Sequence, residues 1–230
     1  MLLHDVAIQA LPVVLAVDRA GLVGEDGETH HGLYDVAFLS SIPGMEIWSP
    51  AGFGELRTML THILTRKNHG PVAIRYPRGG EPHDTADSGT APSVLLREGT
   101  DLTLVTYGTM TAIVLEAADR LASQGISARV VKLNRITPIE FTIIEDAVRE
   151  TDALLVVEEV SASGSVGERL PGLLTERGVF LKRYGTVNTG SGFVPQGTVS
   201  QLRTLCGLDS EQITKRAREV CTQWQKNDLT

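Results

Sequence analysis

The stretch Pro12-Val13-Val14-Leu15-Ala16-Val17-Asp18 is continuously apolar until it ends on a carboxylate. It then opens directly into Arg19-Ala20-Gly21-Leu22-Val23-Gly24-Glu25-Asp26-Gly27-Glu28-Thr29-His30-His31-Gly32. A short apolar run bounded by turn residues reads as a strand buried on both faces, the kind found in parallel sheets. The four glycines after it permit positive φ and close approach of backbone to a ligand. Downstream, the pattern predicts a helix over 33–41 stopped by Pro43-Gly44, a strand over 45–49, and a helix over 53–67. Leu56, Met59, Leu60, Ile63 and Leu64 share one face of that helix. Val72-Ala73-Ile74-Arg75-Tyr76 is a further buried strand. Strands alternating with amphipathic helices imply an α/β fold with a parallel sheet.

Past Pro77 the composition turns to Gly, Pro, Asp, Ser and Thr, which predicts a linker over 81–98 with a short strand or hairpin near 94–97. The alternation then resumes, with strands at 102–107, 128–133, 153–158 and 179–187. Helices are predicted at 111–124, 139–149, 166–177 and 199–205, and Asp209 caps a last helix from 210 to about 224. The expected organisation is a first unit over 1–80 and a second over 99–230, the latter large enough to fold by itself. The first unit, with three strands, is expected to leave sheet edges unpaired. Leu2, Leu3, Val6, Ala7 and Ile8 follow helical spacing from the first residue with no N-cap before them. Together these suggest that more of that sheet lies upstream of Met1.

The chain has 230 residues, 42% hydrophobic and 21% charged, with a formal net charge of −7. That balance argues against a nucleic-acid binder, which carries a basic patch. Cys206 and Cys221 lie outside any metal-ligand spacing and read as reduced thiols of a cytoplasmic protein. No apolar run reaches the roughly 18 residues that span a bilayer. The N-terminus lacks the basic region and cleavage site of a signal peptide.

Ligands of open α/β sheets bind at the C-terminal ends of the strands, where the 18–32 loop begins. Asp26 and His30 could converge there on one small polar molecule, and an imidazole titrates near neutrality and can move a proton during carbonyl chemistry. The alternative is a structural loop with a hydrogen-bonded histidine. Arg75 lies within the third strand and Arg78 just beyond it, while Arg19 follows the first. Arginines on neighbouring strand ends suit a phosphate monoester, because the guanidinium fork bonds its oxygens in pairs. A surface or interdomain salt bridge is the alternative for each of them taken alone.

His4-Asp5-Val6-Ala7-Ile8-Gln9, Leu11-Pro12-Val13, Asp18-Arg19-Ala20-Gly21-Leu22-Val23-Gly24, Asp26-Gly27 and Thr29-His30-His31-Gly32 resemble the second half of a pyrimidine-binding domain. The family is the thiamine-diphosphate-dependent, transketolase-like 1-deoxy-D-xylulose-5-phosphate synthases. Ile42-Pro43-Gly44-Met45, Gly70-Pro71-Val72-Ala73-Ile74-Arg75-Tyr76-Pro77-Arg78-Gly79 and Val194-Pro195-Gln196-Gly197 extend the resemblance over nearly the whole chain. It implies an α/β protein, with an incomplete parallel-sheet pyrimidine-binding domain followed by a transketolase C-terminal-like domain. It also implies condensation of pyruvate with glyceraldehyde 3-phosphate, loss of carbon dioxide, thiamine diphosphate with Mg2+, and a homodimer.

By position, Arg19 and Arg78 resemble residues holding the aldehyde's phosphate, Asp26 one contacting substrate hydroxyls, and His30 one assisting proton transfer. His31 is assigned no role. Three segments depart from the family pattern: Ala51-Gly52-Phe53-Gly54-Glu55, Asn188-Thr189-Gly190-Ser191-Gly192-Phe193, and the compacted run from Glu158-Glu159 to Gly167. The family's Gly-Asp-Gly and Asn for the metal-held diphosphate, and its glutamate for the aminopyrimidine, have no counterpart here. The isolated chain is therefore expected to bind no cofactor and to be inactive. A subunit of a split enzyme and a non-catalytic interaction module are the rival readings.

Overall fold

A computed structural model describes residues 1–24, 26–67, 69–80 and 87–222. A π-helical segment, Leu2–Ala7, buries none of its residues and leads into β1 (Val14–Val17). After it come α1 (Asp35–Ser40), β2 (Glu46–Trp48), α2 (Phe53–Thr65) and β3 (Val72–Arg75). The second unit runs through β4 (Ser93–Arg97), β5 (Leu102–Thr106), α3 (Met110–Ser123), β6 (Ala128–Leu133) and β7 (Arg135–Thr137). It continues with α4 (Thr142–Thr151), β8 (Ala153–Val157), α5 (Val166–Glu176), β9 (Arg183–Val187), α6 (Val199–Leu205) and α7 (Ser210–Thr222). Asp209 caps α7, its carboxylate accepting the Gln212 amide at 2.8 Å, as a residue before a helix start should. The predicted end of that helix at 224 lies outside the described residues, as do 81–86 of the predicted linker.

The strands form two sheets, ordered β1-β3-β2-β7 and β4-β6-β5-β8-β9. β1, β3 and β2 are mutually parallel. In the second sheet only β4 is antiparallel to its neighbour, β6. The expectation of two unpaired edges on the first sheet fails on one side. β7 of the second unit pairs antiparallel with β2, Ile47 opposite Thr137 and Trp48 opposite Arg135. The run Arg135-Ile136-Thr137 is short and mostly polar, so no apolar run marks it as a strand. The opposite edge is β1, which pairs with β3 and with no other strand among the described residues.

Two element starts differ from expectation by three residues or more. β9 begins at Arg183 rather than 179, because residues 177–179 close α5. The amides of Arg177 and Val179 both bond the Leu174 carbonyl, and Gly178 takes φ +74°. A glycine in the left-handed region is a common way to end a helix. α4 begins at Thr142 rather than 139, where the Glu140 carboxylate accepts the Thr142 amide at 2.9 Å.

The two sheets share a core. Leu39, Met45, Ile47 and Ala73 of the first unit belong to one buried cluster with Tyr107, Leu133, Ile136 and Val160 of the second. Beside it lies a polar junction. Glu55 on α2 and Lys132 on β6 are each 1% exposed and pair at 2.5 Å. The Lys132 ammonium also bonds Asn134 Oδ1 at 2.7 Å and Ser88 Oγ at 3.0 Å. Glu55 further accepts the Ala51 amide at 2.7 Å, and the Asn134 amide group donates to the Ala91 carbonyl at 2.9 Å. A buried ion pair survives only when its remaining polar atoms are satisfied, and here they are. Burial pushes the Glu55 carboxyl up, but the Lys132 charge and the hydrogen bonds from Ala51, Lys132 and Ser88 outweigh it. The carboxyl is held below its ordinary range.

Removing one partner strands the other charge. Lys132→Met should lower the unfolding free energy by about 3–5 kcal/mol in urea titration, and Glu55→Gln with Lys132→Met much less than the sum of the two single changes. Since the folded-state Glu55 pKa is depressed, its contribution is present above the unfolded value and is lost as pH falls through the folded one. Glu55→Gln should flatten that acid limb of the stability curve.

Candidate functional site

Because β1 and β3 are adjacent and parallel, with Val17 opposite Arg75, the chain leaves both at the same end of the sheet. Past that end Arg19 adopts φ +58° and Gly21 φ +81°. The Ala20 amide continues the ladder to the Tyr76 carbonyl at 3.0 Å. Gly21 and Gly32 then exchange two 2.8 Å backbone bonds, so the loop closes on itself at its base. A Cβ at Gly32 would sit 2.0 Å from the Arg19 carbonyl oxygen. Only glycine, which has no Cβ, fits there.

The closed base brings three of the four sequence-selected side chains together. Arg78 donates to Asp26 at 2.5 Å, and Arg19 Nε lies 3.9 Å from the same carboxylate oxygen. Arg19 also bonds Asp18 at 2.8 Å. The Arg78 hydrogen bond is the chief reason the Asp26 carboxyl is held below its ordinary value. Desolvation opposes it, and the charges of Arg78, Arg19 and His30 add to it. His30 is exposed, with Nδ1 3.1 Å from the Thr29 hydroxyl. It sits close enough to Asp26 for their charges to interact but makes no hydrogen bond to it.

Two neighbours hold the loop in place. Arg75 is buried, with Nε bonded to Asp35 at 2.7 Å, and Nη2 to Asp35 at 3.3 Å and to the Gly32 carbonyl at 3.4 Å. It ties the end of the loop to the start of α1, stacks 5.7 Å over the Tyr107 ring, and presents no fork to a ligand. His31, assigned no role from its place in the sequence, is also buried. Its Nδ1 accepts the Val23 amide at 3.1 Å, and Nε2 lies 3.3 Å from the Pro195 carbonyl. With Nδ1 accepting, the ring proton belongs on Nε2, which donates to that carbonyl. The imidazole thus straps the loop to the second unit.

Glu159 and Arg203 escaped the sequence reading. Glu159 follows β8 and is 6% exposed. Its Oε1 accepts the Leu22 amide at 2.9 Å, and its Oε2 accepts Arg203 Nη2 at 2.8 Å. In the sequence Glu159 stood out as half of a carboxylate pair, Glu158-Glu159, that ends an apolar strand and opens a run departing from the family pattern. Glu158 is turned inward, where it accepts the Tyr107 hydroxyl at 2.7 Å and the Gly167 amide at 2.7 Å. A cleft of about 450 Å3 between the units is lined by Arg78, Glu159 and Arg203, with Thr109, Glu116 and Ser210. A volume of this order accommodates a small phosphorylated metabolite.

Two family models match the chain. They are the transketolase pyrimidine-binding domain over residues 1–82 and the transketolase C-terminal domain over residues 92–213. Among curated proteins, the 1-deoxy-D-xylulose-5-phosphate synthase of Heliobacterium modesticaldum is 41% identical over 224 residues, covering 94% of this chain and 34% of the relative. That of Thermomicrobium roseum is 41% identical over 224 residues, covering 93% and 34%. The chain thus spans about a third of the length of the curated relatives it matches.

Among solved structures, a split-gene transketolase described as an inactive β4 tetramer superposes with a TM-score of 0.84 at 28% identity. The match covers 96% of this chain and 71% of that one. A transketolase mutant from Pichia stipitis shares the fold, with a TM-score of 0.76 at 19% identity over 96% of this chain and 32% of that one. The two matched domains run in order over most of the sequence, one for each unit, so the chain belongs to the transketolase family.

Proposed function

We propose that this chain is the part of a 1-deoxy-D-xylulose-5-phosphate synthase that binds the phosphate end of the aldehyde substrate. The complete enzyme would condense pyruvate with glyceraldehyde 3-phosphate and release carbon dioxide. The observation that carries this is the meeting of Arg19 and Arg78, from adjacent strand ends, on the one carboxylate of Asp26. Two guanidinium groups already oriented toward a shared anionic oxygen are arranged for a phosphate monoester. Asp26 would accept a hydrogen bond from a substrate hydroxyl, and His30 would carry a proton to or from a substrate oxygen.

Thiamine diphosphate, when bound, supplies the electron sink of such reactions. No group of three His, Cys, Asp or Glu side chains among the described residues is placed to hold a metal ion. In this reading the magnesium-held diphosphate is bound by the part of the enzyme outside this chain. As such an enzyme, the protein would be a cytoplasmic homodimer feeding isoprenoid, thiamine and pyridoxal synthesis. No helix among the described residues is long and apolar enough to cross a membrane.

A second reading is favoured by the split-gene transketolase, of whose chain this one covers 71%. Here the chain is a separate subunit that works with another polypeptide. The intact mass of the native protein separates the two. A value near 24.8 kDa supports the separate subunit, and one about three times larger supports the synthase.

With thiamine diphosphate and Mg2+, the isolated chain should consume no pyruvate, and adding the other two thirds of a synthase should restore turnover. In the restored enzyme, His30→Ala should lower kcat by about 10²- to 10⁴-fold. Arg78→Ala should chiefly raise KM for the aldehyde. Tight cofactor binding by the chain alone would refute this division of labour.

A separate expectation concerns Asp26, the anion that Arg78 already holds. Asp26→Asn removes that competitor and should tighten binding of inorganic phosphate, followed by NMR titration. Weaker phosphate binding in that variant would count against the arginine pair as the phosphate site.

A further inference from the structure

The amides at the start of the site loop are claimed one after another. Ala20 N–H goes to the Tyr76 carbonyl, Gly21 N–H to the Gly32 carbonyl, Leu22 N–H to the Glu159 carboxylate and Val23 N–H to His31 Nδ1. The first, second and fourth partners lie in the first unit. The third does not: Glu159 follows β8 of the second sheet, 137 residues away in sequence. It is also the single charged partner of the four. A carboxylate accepting a buried backbone amide is among the stronger hydrogen bonds a loop can make.

Everything around that bond is tight. A Cβ on Gly21, at φ +81°, would stand 3.1 Å from the Glu159 carboxylate. One on Gly24, at φ +76°, would stand 3.0 Å from the Gly197 carbonyl oxygen. The Leu22 side chain is buried with Leu33, Val194 and Leu202. On its far side Glu159 is gripped by both Arg203 Nη2, at 2.8 Å, and Arg203 Nε, at 3.3 Å. Arg203 belongs to α6, whose N-terminus is fixed by a capping box between Thr198 and Gln201. On this side the loop is seated against Glu159, Val194, Gly197 and Leu202 of the second unit, with Arg203 behind the carboxylate.

We propose that Glu159, held by Arg203, is a positioning residue through which the C-terminal unit sets the geometry of Arg19, Asp26 and Arg78 for a phosphate. This rests on the assignment of Arg19 and Arg78 to a phosphate monoester. Glu159 touches no reacting atom in this scheme. It fixes Leu22, which lies between Arg19 and Asp26 in the chain, and so fixes how the two sides of the loop face Arg78. Misplacing a charged hydrogen-bonding group by about an ångström costs on the order of a hundredfold where geometry is decisive. A loop retaining its other three amide anchors should lose less.

The test uses the full chain, inorganic phosphate as probe, and two readouts: affinity by NMR titration and amide hydrogen exchange. The wild-type chain should bind phosphate and Arg78→Ala should not. Glu159→Ala should weaken binding about tenfold, about 1.4 kcal/mol, with faster exchange confined to the amides of 20–24 and protection retained in β5, β6 and β8. Glu159→Gln keeps an acceptor for Leu22 and should recover part of the affinity.

A Glu159→Ala protein that binds phosphate as the wild type does would overturn the positioning role and leave the arginine pair standing. So would loss of affinity accompanied by loss of protection across β8, which is what a merely structural residue gives. If Glu159→Ala does not fold, Arg203→Met decides. It leaves the Leu22 bond in place and removes the grip on the carboxylate, and unchanged affinity would again overturn the proposal. A wild-type chain that binds no phosphate sinks the arginine assignment and the role of Glu159 with it.

Discussion

Backbone groups at the edge of β2 must find hydrogen-bond partners, and they find them in a segment that is already part of the other sheet. Residues 128–133 form β6 of the second sheet, Asn134 passes its carbonyl to the Ser49 amide at 2.9 Å, and Arg135–Thr137 pair with β2. One short length of chain therefore belongs to both sheets. Lys132 and Asn134 occupy the crossing, and they gather Glu55 from α2 and Ser88 from the approach to β4. With the shared core, the His31–Pro195 contact and the Leu22–Glu159 bond, this crossing fixes the relation of the two units.

The electrostatics of the site grade from interior to surface. Asp35 and Arg75 neutralise each other in a buried pair, where an unpaired charge would be costly. Glu159 and Arg203 do the same at the wall of the cleft. Asp26, Arg19 and Arg78 lie farthest out, where water screens them and exchanging one anion for another costs little desolvation. Buried pairs hold the shape, while the charges of the exposed cluster stay open to solvent. In that cluster two guanidinium groups, Arg19 and Arg78, are matched by two carboxylates, Asp18 and Asp26.

How much of this was legible depended on whether a signal was local. β3, β5, β6 and β8 are short and buried throughout, and apolar runs such as VAI or ALLVV disclose them. β1, read from VVLAV as buried on both faces, is instead a half-buried strand with Ala16 exposed, because it lies at the edge of its sheet among the described residues. Arg19, Asp26, His30 and Arg78 could be picked out because glycine-rich loops and strand ends are readable from neighbouring residues. Arg75 could not be separated from Arg78, since an arginine in an apolar run fits a ligand contact or a buried ion pair equally well. Its partner, Asp35, lies 40 residues away. The contacts of Glu159 and Arg203 were invisible for the same reason, as Leu22 is 137 residues from the carboxylate that holds it. Glu55 stood out only as a departure from the family pattern, and its buried lysine gives that departure a physical meaning.

The crossing at residues 132–137 also bears on how the chain comes into being. A polypeptide is synthesised from its N-terminus, and domains usually fold as they emerge. Here the β2 edge, complete by Trp48, stands open until Arg135–Thr137 have left the ribosome. Closing so long a loop is slow, and an unpaired strand edge is a template for association with other chains. The first sheet of this protein therefore matures late, and its vulnerable interval is set by the time needed to translate everything from α2 to β6.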